Sequence, residues 1–210
     1  MLLGFSRKVL RDPTAISLLF SNLITIVLAV VFSWSLIELL WVYLAQSVII
    51  GFFNFLKMIK VSISHESNPT IGGMGIFMSI FFFLYYGGFH LVYFLFLFMF
   101  SLFAGFGGAG AGFISFLPFL LLTSVIFFIN HFYSFWYFSK KSSSVEGPTK
   151  MILLGKLMFR PYVRIVPMHL TIIFGGIFIF TGIFNVFVLL LFLILKTWAD
   201  LTMHFKEHEL

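Results

Sequence analysis

The feature that most constrains this chain is where its charges are missing. From Ser67 to Ser139, and again from Ile165 to Leu195, there is no Asp, Glu, Lys or Arg. The thirteen Lys and Arg residues fall in short clusters between such stretches. Read as membrane spans with an even number of crossings, the apolar stretches put every cation on one face. That is the distribution the positive-inside rule describes, with the cationic face cytoplasmic.

Composition agrees: 61% of the residues are apolar, 10% are charged and 33 of 210 are Phe, whereas soluble domains carry about 25% charged residues. The expected fold class is therefore all-α, a polytopic membrane helix bundle forming a single domain over the whole chain. The net charge of +6 borders the spans, so it matches orientation and anionic lipid headgroups better than nucleic acid. With no Cys, disulfides, thiolate metal sites and thiol nucleophiles are excluded. His, Met and carboxylates remain as ligands. The apolar run after Arg7, Lys8 and Arg11 has no cleavage-site pattern, which reads as a retained first helix rather than a signal peptide.

At about twenty apolar residues per crossing, six spans are expected. Helix 1 covers Thr14–Phe32, with Asp12-Pro13 as its start signal, and helix 2 covers Leu36–Ile59. A basic loop, Lys60–Thr70, leads to helix 3 over Ile71–Phe103, which is too long for one straight crossing and is expected to tilt, to kink near Gly87-Gly88 or to be flanked by an interfacial turn. The glycine-rich Gly105–Gly112 reads as a hairpin connection, helix 4 as Phe113–Phe138, and Ser139–Pro161 as the longest loop. Helix 5, Val163–Phe180, and helix 6, ending near Phe205, complete the set. Both termini and both basic loops are then cytoplasmic, in a multi-pass protein of the cell membrane.

An ionisable group inside a span is costly and faces the bundle interior. The residues in question are Glu38, His90, His131, His169, Asp200 and His204. Counting about 1.5 Å per residue from the inner helix ends puts His131, His169 and Asp200 in one layer. Asp200 and His204 share a helix face. Imidazoles with a carboxylate suit a divalent metal, zinc or iron(II), so His131, His169, Asp200 and His204 form a candidate metal site. The plainer reading makes the same groups hydrogen-bonded ties between helices. Glu38 and His90 belong to another layer, where they could pair across helices or snorkel to the surface. Gln46, Ser47 and Asn54 form a polar stripe on helix 2, read as a helix–helix seam. Phe81-Phe82-Phe83 and Phe94, Phe96 and Phe98 read as lipid-facing packing. Trp34, Trp41, Trp136 and Trp198 read as interfacial belts.

The blocks Trp41–Asn54, Tyr86–His90, His131–Ser134, Arg160–Gly176 and Leu195–His208 resemble a family of prokaryotic polytopic membrane proteins of unassigned function. The resemblance spans most of the chain and implies a membrane helix bundle without naming a reaction. It also implies His where this chain has Tyr85 and Tyr93, and those departures count against a metal centre along helix 3.

Three functional classes follow. The first is a hydrolase that uses metal-activated water on a lipid-like substrate, with Ser134 one turn from His131. The second is a haem b redox protein with Arg160 and Arg164 near the propionates. The third is a non-enzymatic bundle that packs against a membrane protein partner or a second copy of itself. The topology yields one direct expectation. A Ser144→Cys variant should be labelled by an impermeant thiol reagent only after the membrane is opened, and labelling from outside intact cells would overturn the arrangement.

Overall fold

A computed structural model describes residues 13–32, 34–64, 69–103, 111–141, 149–159 and 161–162. Every regular element among them is helical: α1 (Pro13–Val31), α2 (Leu36–Ile63), α3 (Pro69–Phe103), α4 (Ala111–Lys141) and α5 (residues 149–159). Three of these, over Ile37–Ile63, Pro69–Leu102 and Ser115–Lys140, are long and apolar enough to cross a membrane. Expected helices 5 and 6, with His169, Asp200 and His204, lie outside the described residues, as do residues 104–110 of the glycine-rich connection.

Local sequence accounts for the helix starts. Pro13 begins α1, a position where its missing N–H costs nothing and its fixed φ already suits a helix. Ser35 caps α2 through a capping box: the Glu38 backbone N–H donates to Ser35 Oγ at 3.3 Å, and the Ser35 N–H donates to Glu38 Oε2 at 2.6 Å. Glu38 therefore serves its own helix terminus and does not pair with His90, since a carboxylate one turn inside finds backbone donors closer than any partner on another helix.

α2 is the interior helix, packing on both α3 and α4, while α1 packs on α4. Within their spans, 56% of α2 is buried, against 28% of α3 and 22% of α4. The remaining surface of α3 and α4 carries Phe77, Leu84, Leu91, Leu121 and Ile129, all exposed, which is the outward apolar skin a bilayer requires. Three consecutive residues cannot share one helix face. Phe82 is accordingly buried while Phe81 and Phe83 point outward.

α3 is one continuous helix through Gly87-Gly88. At 35 residues and about 1.5 Å per residue it exceeds the roughly 30 Å hydrocarbon layer. Trp34 and Trp41 are core residues rather than belt residues. Trp34 packs edge-on against Phe116, and Trp41 Nε1 donates to Ser101 Oγ at 3.0 Å. Trp136 does stay exposed, with the Lys140 ammonium 3.5 Å from its ring centroid.

The expected loop Ser139–Pro161 contains α5. Its charges suggested a loop, but Leu154 and Leu157 are buried in the core. Asn54 Nδ2 donates to the Leu157 carbonyl at 2.9 Å, and buried Lys150 donates from Nζ to the carbonyl of Ser64, the C-cap of α2, at 3.1 Å. A cation at a helix C-terminus meets unsatisfied carbonyls and the negative end of the dipole.

Candidate functional site

α2 and α3 run antiparallel, and hydrogen bonds mark their seam from end to end. Trp41 meets Ser101 at one end. At the other, Ser62 Oγ lies 3.4 Å from Ser79 Oγ. Between them Ser47, Tyr86 and His90 make a denser cluster, and all three are buried.

Its proton arrangement follows from the acceptors. His90 Nδ1 lies 2.8 Å from the Tyr86 carbonyl oxygen, which can only accept, so Nδ1 carries the ring proton. In the neutral ring Nε2 then holds the lone pair. Ser47 Oγ, 2.7 Å away, donates to it. Tyr86 Oη donates to the Ser47 carbonyl at 3.0 Å and also lies 3.0 Å from Ser47 Oγ. The Tyr86 and His90 rings stack at 4.2 Å, and Tyr93 meets His90 edge-on at 5.7 Å.

This approach depends on Gly51, one turn after Ser47. A Cβ there would collide with the edge of the Tyr86 ring, whereas one at Gly87 would meet open space. Beside the cluster, a groove of about 400 Å³ opens between α2 and α3. Gly51, Tyr86, Gly87 and His90 line it together with Val48, Phe52, Leu91 and Phe94, and these last four are exposed on the outer surface of the bundle. The groove is thus apolar, open sideways, and backed by one imidazole and one phenol.

Of the residues expected to bind metal, His131 sits half-buried on α4. Its Nδ1 donates to the Phe127 carbonyl at 3.0 Å, and its ring stacks on Phe127 and Phe53 at 5.9 and 6.4 Å. Its neutral tautomer likewise places a lone pair on Nε2. One residue earlier, buried Asn130 leaves Oδ1 without a hydrogen-bond partner among the described residues. No set of three or more His, Asp or Glu converges among the described residues.

The pairing of Ser47 with His90 is not apparent from the sequence alone, because the two residues are 43 apart. The available signal was depth. Ser47 lies eleven residues after the start of α2 and His90 thirteen before the end of α3, so antiparallel packing brings them to similar heights at about 1.5 Å per residue.

Substitution at the two glycines separates close approach from open surface. Gly51→Ala should displace Tyr86, break the cluster and cost about 1–3 kcal/mol as an overpacked core site. Gly87→Ala should stay within about 0.5 kcal/mol of the parent. Thermal melting of both variants in detergent checks this, and equal melting would refute the assigned packing.

No curated protein and no solved structure shows significant similarity to the chain. A recognised family does match residues 5–210 of the chain. The chain belongs to the DUF6498 family, a family of unknown function.

Proposed function

We propose that this chain is a multi-pass protein of the cell membrane that takes an apolar, lipid-like molecule into the groove between α2 and α3. The observation that carries this reading is the groove itself, about 400 Å³, within the roughly 300–1,000 Å³ of ligand sites. Its rim residues Val48, Phe52, Leu91 and Phe94 are exposed on the apolar surface of spanning helices. In a bilayer such a surface meets acyl chains rather than water, so a lipid chain enters sideways without leaving hydrocarbon. The test is photocrosslinking in proteoliposomes with a diazirine-bearing long-chain lipid. Adducts should concentrate on peptides from the groove walls, and Leu91→Trp, which fills the groove, should lower them several-fold. Adducts spread evenly over exposed α4, unchanged by Leu91→Trp, would refute the reading.

A second reading is favoured by buried Asn130, whose Oδ1 has no hydrogen-bond partner among the described residues and is an acceptor suited to a cation. In it His131, His169, Asp200 and His204 hold zinc or iron(II) near the inner leaflet, and the metal activates water against a lipid-like substrate. His169→Ala should then remove the metal from protein purified without chelator while leaving the melting temperature close to that of the parent. A metal-free parent whose melting temperature falls on substitution would instead make these residues interhelical ties.

A further inference from the structure

The polar groups that border the groove between α2 and α3 are already engaged inside the protein. Tyr86 Oη gives its proton to the Ser47 carbonyl, His90 Nδ1 donates to the Tyr86 carbonyl, and His90 Nε2 receives the Ser47 hydroxyl. No Asp, Glu, Lys or Arg lines the groove. The imidazole and the phenol therefore present ring surface to a ligand, and the groove must discriminate by the hydrocarbon part of what it binds.

Register sets the depth. The α2 wall runs from Leu44 to Phe52, and the nearest charged residues beyond it on that helix are Glu38 and Lys57. At about 1.5 Å per residue the wall is about 12 Å long, stops about 7–9 Å short of either charge, and is centred near the middle of a roughly 30 Å hydrocarbon layer. A phosphate or ammonium headgroup is strongly disfavoured at that depth. A phospholipid reaches it only with its chain ends, its distinguishing group left at the surface. A lipid without a headgroup has no anchor at the interface and lies at the midplane whole.

The lining decides among such lipids. Phe52, Phe82, Phe83, Tyr86, His90 and Phe94 bring six rings to a wall of eleven residues. The negative face of a ring attracts the weakly positive C–H edge of another π system, which is the basis of edge-to-face packing. Alkene and allylic C–H groups can make the same contact, whereas a saturated chain brings dispersion alone. Gly87, midway along the α3 wall, leaves a recess where a Cβ would meet nothing within 4 Å, which is room for a methyl branch.

We propose that the ligand is an unsaturated isoprenoid, a methyl-branched alkene chain without a charged headgroup, held lengthwise between α2 and α3 at the bilayer midplane. The class rests on the groove reading above and narrows it. Among the rings exposed at the mouth of the groove, Phe52 stands on the α2 wall and Phe94 on the α3 wall, so the pair grips the chain from both sides.

The test is competition against groove photocrosslinking by the diazirine-bearing long-chain lipid, with the full chain in proteoliposomes. Squalene and squalane share one branched carbon skeleton, unsaturated in the first and saturated in the second, and neither has a headgroup. Squalene is expected to halve the groove adducts at about a fivefold lower mole fraction than squalane, the size of one added ring contact. The double variant Phe52→Leu with Phe94→Leu keeps apolar bulk and removes two rings. In it the two hydrocarbons should compete alike, while the groove adducts and the melting temperature stay near the parent's. Equal competition in the parent, a preference undiminished in the double variant, or competition by a polyunsaturated phosphatidylcholine as strong as squalene's would each overturn the isoprenoid assignment and leave lipid binding standing. Absence of groove adducts altogether would remove both readings.

Discussion

Neither hydrocarbon nor a packed interior offers water to a polar atom, so the polar atoms of α2 are satisfied best within the protein. That requirement organises the described bundle. Ser35 and Glu38 satisfy the start of α2 between them, and the carbonyl at its C-cap receives the Lys150 ammonium. Along its length Trp41, Ser47 and Ser62 reach polar atoms on α3, and Asn54 reaches the backbone of α5. Each bond contributes modestly, about 0.6 kcal/mol on average for such interhelical contacts. An unmade bond costs several kcal/mol in this medium. The polar pattern therefore specifies the partners of α2 more strongly than it stabilises them.

Apolar packing then fills the space that the polar contacts define. Phe53, almost fully buried, gathers Phe128, His131 and Phe135 of α4 around it, with ring centroids 5.0 to 6.4 Å away. Gly51 and Gly75 are small where α2 and α3 come closest: the first admits the Tyr86 ring, and the second faces Ser62 and Leu154. Gly87 has no such neighbour and lines the groove. Close approach on one side and open space on the other give the cluster its two aspects, an internally satisfied network backed by helix and an imidazole bordering a lateral opening. A group held in that way is positioned before any ligand arrives, which is the requirement shared by binding and by chemistry.

Much of the helical architecture can be read directly from the sequence. Long uncharged runs have one stable solution in hydrocarbon, the helix, so α1 to α4 fall close to their expected bounds, and the stripe of Gln46, Ser47 and Asn54 is buried as a seam should be. What local pattern could not supply was partner choice. Trp34 and Trp41 turned inward, and a stretch judged a loop by its lysines folded as α5 on the strength of Leu154 and Leu157. Each outcome depends on which atoms are nearest in space.

The division follows from the range of the forces involved. Hydropathy and capping are properties of neighbouring residues, so the sequence by itself determined the helical character of the described residues and the approximate bounds of α1 to α4. Ser47 and His90 acquire their relationship only when antiparallel packing cancels the 43 residues between them. The tautomer of His90 is set by a carbonyl one turn away and a hydroxyl on another helix. Tertiary structure alone decided that pairing, and with it the groove, because both depend on the axial register of α2 against α3, which no local pattern encodes.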